Sequence, residues 1–388
     1  MIKKKILFIS SSITAETICL GIAGGEVRLS EIIRGFIKDN WEVHFLTNGG
    51  GELFCKNFKL TEVINHSFNI TGGSNRLWFT IFTIKIFFQI PKNLKNFDGY
   101  IYTANELLFD IIPALRLKIF NKNKWIAIVH WMPPLKFWQR KKSKLLTSLL
   151  FMMGERLSVF FIKYYSDLVL AVSEPTKKQL LNFGIKENKV SSVRCGVNLK
   201  EIFNIILEVG EKNYDAVFMK RIQAVKGVFD LIDIWKLVIN KRPNSKLAII
   251  GGGIDNKKII EIIKKNKLER NIIFLGPIFD FKKKFITIAQ SKMFILPSYE
   301  ENWAIVMGEA MACKIPVLAY NLSELIEVWR DSFEQIPLGN KEYFADKIIE
   351  YLDNRDLRNK QAEIGYNYVQ KFEWSNIAQD EINLVENI

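Results

Sequence analysis

Apolar residues in this chain gather in short unbroken runs, and between the runs they recur at every third or fourth position. Short uninterrupted runs predict strands buried on both faces, and the longer period predicts amphipathic helices packed on them. The first half opens with the run KILFIS, a glycine-containing loop GIAGGE and a helix reaching about Asp39. WEVHFLT, GYIYTA, WIAIVH, DLVLAVS and VSSVRCG follow as strands, with helical segments among them. The pattern lapses from Val197 to Tyr214, and a second series runs through YDAVFMKR, SKLAIIGGG, NIIFLG, KMFILP and IPVLAY. Strands alternating with helices specify parallel α/β sheets. Two doubly wound domains meeting near residue 200 follow from this. Ligands sit beyond the carboxyl ends of such strands, so the site is expected in the cleft between the domains. The length of 388 residues, too long for one ordinary core, agrees.

Two segments break the pattern. RLWFTIFTIKIFFQIPKNLK, residues 76–95, is aromatic and basic together. WMPPLKFWQRKKSKLL, residues 131–146, sets Trp131, Phe137 and Trp138 beside Lys136, Arg140, Lys141, Lys142 and Lys144. Aromatic anchors with a basic cluster suit a membrane interface, and a solvated charge run is the alternative. After it, Leu146, Leu149, Leu150, Met153, Leu157, Phe160, Phe161 and Tyr164 recur at spacings of three and four, a continuous apolar helix face expected to pack on the sheet.

Charge sharpens the picture. The chain carries a net charge of +14. Residues 1–200 hold 29 Lys and Arg against 14 Asp and Glu, whereas residues 201–388 hold 26 against 27. The whole excess lies in the first half, which points to an anionic partner there. Cys19, Cys55, Cys195 and Cys313 form no metal or redox pattern and suit a reducing compartment. MIKKKILFIS has too short an apolar run for a signal peptide, and no uncharged apolar run approaches the roughly 20 residues that span a bilayer. A cytoplasmic location is expected.

The stretch PSYEENWAIVMGEAMACKIPV, Pro297 to Val317, places Glu301 and Glu309 between a strand and the following strand, where a helix should lie. Buried carboxylates need partners or a ligand. Asn302 is a natural N-cap for a helix from about Trp303 to Ala312. The start of such a helix binds phosphate, and a carboxylate on it suits a ribose diol.

This stretch resembles the signature of the large retaining glycosyltransferase family of the family 4 type, the glycosyl transferases group 1, whose GT-B fold consists of two Rossmann-like domains. That pattern is Pro-Ser, a glutamate, seven residues, a second glutamate, then Ala-Met-Ala and Pro-Val. The resemblance places Glu301 on the donor sugar, Glu309 on the ribose, and the amides of Ala304, Ile305 and Val306 on the diphosphate. It extends over essentially the whole chain. AGGEVRLSEIIRGFIKDNWEV is similar to the Gly-Gly acceptor loop and its helix, with Gly24 and Gly25 in place. His130 ends WIAIVH where the family keeps a histidine facing the donor sugar. MKRIQAVKGVFDLI is similar to the Arg-x4-Lys-Gly element, making Arg221 and Lys226 the pair that neutralises the diphosphate. NIIFLGPIFD, with Gly276, Pro277 and Ile278, corresponds to the segment that reads the base, and FEWSNIAQDEI to a C-terminal helix returning to the first domain. The implied domains are 1–199 for the acceptor, 200–370 for the donor and 371–388 for that helix.

The departures are specific. ENWA stands where Glu-Gly-Phe-Gly is common, putting Trp303 beside the donor, where it can alter sugar choice. Lys314 and Lys220 each stand where a glycine is usual, and Ser323 and Glu324 replace two more. The resemblance implies sugar transfer from a UDP- or GDP-sugar with retention, by front-face displacement, completed by domain closure. No Asp-x-Asp motif is present, so no metal and no further cofactor are expected, with Arg221, Lys226 and the helix start stabilising the leaving diphosphate. The basic first domain then favours a lipid-linked or glycan acceptor at an anionic membrane surface. A nucleotide-sugar epimerase on the same fold and a basic nucleic-acid-binding protein are the alternatives, the latter without a recognition motif.

Overall fold

The computed structural model describes residues 3–14, 24–68, 85–87, 89–130 and 145–388, and within 145–152 only the backbone. Each apolar run named above forms a strand. The first sheet holds β1 (Lys5–Ser10), β2 (Glu42–Thr47), β3 (Val63–Ser67), β4 (Tyr100–Thr103), β5 (Lys124–Val129), β6 (Leu168–Ala171) and β7 (Val190–Ser192). Among the described residues its order is β3-β2-β1-β4-β5-β6-β7, and every pairing is parallel. The second sheet, β10-β9-β8-β11-β12-β13, is also parallel and holds β8 (Ala216–Met219), β9 (Leu247–Ile250), β10 (Ile272–Gly276), β11 (Phe294–Leu296), β12 (Val317–Tyr320) and β13 (Glu334–Ile336). Central strands are apolar on both faces because helices cover both, so Ile6 to Ile9 and Val217 to Phe218 are fully buried.

The chain divides into two units. One contains β1 with Gly25–Arg194 and Ser375–Ile388, and the other contains Cys195–Trp374. The last helix, Trp374–Glu386, therefore belongs almost wholly to the first unit. It packs closely there, since a Cβ on Gly35 would stand 2.4 Å from the Ala378 methyl. Glu381 on this helix accepts from Arg28 and, at 3.0 Å, from the Tyr102 hydroxyl, and all three side chains are buried.

One expectation changes. The Leu145–Tyr165 helix does not turn its whole apolar stripe to the sheet. Ser158, Val159 and Ile162 face the core, while Met153, Leu157, Phe160 and Tyr164 are 58%, 43%, 47% and 60% exposed. The helix is apolar nearly all round, so spacing alone does not select the buried side. The basic and aromatic loop 131–144 lies outside the described residues, as do residues 76–84 of the other segment. The rest of that segment supplies Ile86, Ile90 and Leu94 to the first unit's core.

Candidate functional site

In the second unit the carboxyl ends of four adjacent strands are fastened to one another. Gly251, just past β9, donates to the Gly276 carbonyl at the end of β10 at 2.9 Å. A Cβ on Gly251, whose φ is +143°, would fall 1.9 Å from the carbonyl of Lys220, just past β8. Gly227 has φ +71°, and a Cβ there would fall 1.6 Å from the carbonyl of Pro297, just past β11. Only glycine permits these approaches. They hold the loop Lys220–Gly227 against the loop that carries Glu301.

That contact assembles a charged cluster. Glu301 Oε2 lies 2.8 Å from Lys220 Nζ, and its Oε1 lies 3.2 Å from Lys226 Nζ and 2.9 Å from Ser298 Oγ. The carboxylate is 5% exposed. Burial pushes its pKa up, but Lys220 and Lys226 outweigh burial and hold it below the usual range. Burial pushes the Lys226 pKa down, against the pull of Glu301. Arg221 is exposed and acts on Lys226 only through space. Two cations thus hold one carboxylate, with Arg221 close enough to Lys226 to act on it, an excess of positive charge that suits a diphosphate.

The helix after β11 runs Ile305–Ala312, two residues later than expected. Its N-cap is Ala304 and not Asn302, with φ 50° and ψ 62° and no side-chain cap bond. A left-handed non-glycine residue costs about 1–2 kcal/mol, which explains why glycine is common at this place in similar sequences. Lys314, with φ 54°, is a second such position. The strained turn aims the first amides of the helix, among them Ile305 and Val306, off the end of the sheet without intrahelical acceptors. Trp303 does not face this site. Its ring is buried against Trp329 and Phe372, with centroids 6.2 and 5.6 Å away, and its carbonyl accepts from Trp329 Nε1 at 2.7 Å.

Glu309, about one turn into the helix, is buried and bonded to Lys284 Nζ at 2.9 Å. Lys284 also lies 4.3 Å over the Phe285 ring. Gly276, with φ +68°, leads into Pro277 and Ile278 at the far edge of the sheet, two strands from Lys220.

His130, Gly24 and Gly25 belong to another end of the chain. In the first unit a Cβ on Gly25 would stand 3.8 Å from His130 Cε1, so Gly25 and the histidine share one spot at the end of β5, while Gly24 is grouped with the second unit. His130 Nε2 donates to the Ala104 carbonyl at 3.0 Å, which fixes the tautomer, and its backbone amide donates to Glu106 at 2.9 Å. Burial first, and then the Arg28 charge, lower the His130 pKa to about 4, so the imidazole is neutral at pH 7.

Sequence reasoning missed Lys220, Ser298 and Lys284 as partners of the two glutamates. The signal available for Lys220 was its place at a usual glycine. Nothing local marks Lys284.

The sequence model of the family described as Glycosyl transferases group 1 matches residues 200–368, and that of Glycosyltransferase Family 4 matches residues 22–201. An uncharacterised glycosyltransferase of Methanocaldococcus jannaschii is 24% identical over 367 residues, covering 82% of this chain and 87% of its own. The N,N'-diacetylbacillosaminyl-diphospho-undecaprenol alpha-1,3-N-acetylgalactosaminyltransferase of Campylobacter jejuni is 24% identical over 323 residues, covering 79% of this chain and 78% of its own. Among solved structures, Anabaena HepE in complex with UDP and glucose superposes with a TM-score of 0.73 at 17% identity, over 99% of this chain and 100% of its own. That likeness is one of fold.

Proposed function

The chain belongs to the group 1 glycosyltransferases of GT-B fold, and from that premise we propose that it moves a sugar from a nucleoside-diphosphate sugar to a lipid-linked glycan or glycolipid. The acceptor is met at the inner face of the cell membrane, where the protein is peripheral. UDP-sugars are the first donors to test, because the HepE neighbour was crystallised with UDP, and GDP-sugars are the second. The lipid-linked acceptor rests on the basic first half of the chain and on the diphospho-undecaprenol in the name of the Campylobacter relative.

The observation that carries the reading is the cluster of Lys220, Glu301, Lys226 and Ser298 beside the first turn of the Ile305–Ala312 helix. In this reading Glu301 orients the donor sugar while Lys226, Arg221 and the amides of Ala304, Ile305 and Val306 take the diphosphate charge. Glu309 holds the ribose, Gly276 to Ile278 border the base, and Gly24, Gly25 and His130 border the acceptor. The anomeric carbon–oxygen bond to the diphosphate breaks as the acceptor oxygen attacks the same face. The acceptor proton passes to the leaving phosphate oxygen, so configuration is retained and no protein nucleophile or metal is used.

Calorimetry with UDP, GDP and their sugars tests the donor, nuclear magnetic resonance of the product tests the configuration, and chelator tests the metal. An inverted product refutes retention, and activity lost to EDTA and restored by a divalent ion refutes metal independence. Absence of affinity for every nucleoside diphosphate refutes the site.

A further inference from the structure

The Leu145–Tyr165 helix leaves Met153, Leu157, Phe160 and Tyr164 on the outside at spacings of four, three and four. They form one stripe about 16 Å long at 1.5 Å per residue. The neighbouring Leu108–Asn121 helix packs against this one and exposes Ile119 and Phe120, the latter 70% exposed. Lys118 bonds Asp167 at 2.6 Å, which sets the carboxyl ends of the two helices side by side and brings Phe120 and Tyr164 to the same end. An apolar face of this extent marks an interaction surface.

Its charge identifies the occupant. Within residues 108–124 and 153–165 the acids are Asp110 and Glu155, and both are buried. The cations of the same segments stay at the surface: Arg116 lies 5.9 Å from the Phe120 ring, Lys163 lies 5.5 Å from the Tyr164 ring, and Arg156, Lys122 and Lys124 accompany them. A second copy docking through the same face would bring these cations against each other. A nucleic acid would have no use for the apolar stripe. No described helix is long and apolar enough to cross a membrane.

We propose that this face lies on an anionic lipid bilayer, with Leu157, Phe160 and Phe120 at the boundary between headgroups and acyl chains and Arg156 and Lys122 on lipid phosphates. The proposal rests on the reading that the acceptor is lipid-linked, and it places a described surface of the first unit on the membrane without the loop 131–144.

The test is cosedimentation of the full chain with phosphatidylcholine vesicles, with and without phosphatidylglycerol, at low and high salt. Binding is expected to require phosphatidylglycerol and to fall with salt. The double variant Leu157→Glu with Phe160→Glu should weaken binding roughly a hundredfold, from the loss of two buried apolar side chains. Arg156→Glu with Lys122→Glu should abolish the dependence on phosphatidylglycerol. Native-state hydrogen exchange of β1, β4 and β5 unchanged in the same preparations establishes that the first unit of the variants is folded. Wild type that ignores anionic vesicles, or variants that bind as wild type, overturns the proposal. A wild-type dimer in light scattering that Leu157→Glu with Phe160→Glu makes monomeric overturns it in favour of a second copy. Transfer to a lipid-linked acceptor in detergent, where no bilayer exists, scores the acceptor reading separately.

Discussion

Replacing Glu381 with glutamine strips the negative charge from the interior of the first unit and leaves the Arg28 guanidinium opposite a neutral amide. Arg28 is 2% exposed and Glu381 0%, so water cannot substitute for the lost charge. The arginine keeps its contact to the Tyr102 hydroxyl at 3.1 Å, and its Nε has no hydrogen-bond partner even in the native protein. Removing one partner of a buried pair costs about 3–5 kcal/mol. Glutamine retains one polar contact, which puts Glu381→Gln near 3 kcal/mol, roughly a hundredfold in an opening equilibrium. Two units make a single global melting curve ambiguous, so the assay is native-state hydrogen exchange read element by element. Amides of β1 and of the Gly24–Lys38 helix should lose about two decades of protection, while β8 to β13 keep theirs. The double variant Arg28→Met with Glu381→Leu should recover part of the loss, because an apolar pair of similar volume is nearly neutral, less what the buried Tyr102 hydroxyl loses in partners. Less than about a threefold loss in Glu381→Gln, or a double variant worse than the single one, refutes the account.

Three further outcomes are expected. Lys220→Ala should lower turnover by roughly one to two orders of magnitude and move the acid limb of the pH–rate profile upward, because Lys220 is the strongest force holding the Glu301 pKa down. Lys220→Arg should restore both, and an unmoved acid limb would refute the link. Ala304→Gly should stabilise the second unit by about 1 kcal/mol in denaturant unfolding by releasing the left-handed turn, and a loss of stability would refute the strain. Asp110 is buried, and burial raises its pKa to about 8 against the Ser11 amide that bonds it at 2.6 Å. The native state then holds a proton that the unfolded chain releases near pH 4, so this contribution is complete below that pH and is lost as pH rises towards 8. Asp110→Asn should flatten that decline in first-unit stability, and an unchanged pH profile would refute it.

The sequence by itself determined the fold class, the strands of both sheet interiors and the loops that carry the charged chemistry. Those features are local: a strand buried on both faces must be an unbroken apolar run, and Glu301 and Glu309 sit inside a contiguous motif. β3 and β13 escaped this reading because VINHS and EQI hold too few apolar residues to make a run, whereas the edge strand β10, IIFLG, stays apolar and was read. Spacing also could not orient the Leu145–Tyr165 helix, whose apolar residues surround it, and only packing against the sheet selected Val159 and Ile162 over Leu157 and Phe160. The partners of the buried charges belong to the tertiary structure alone. Lys220 lies far in sequence from Glu301, Lys284 from Glu309 and Arg28 from Glu381. Each pair forms because strand order and close glycine contacts bring distant segments within bonding distance, and a buried carboxylate accepts whichever cation the fold delivers.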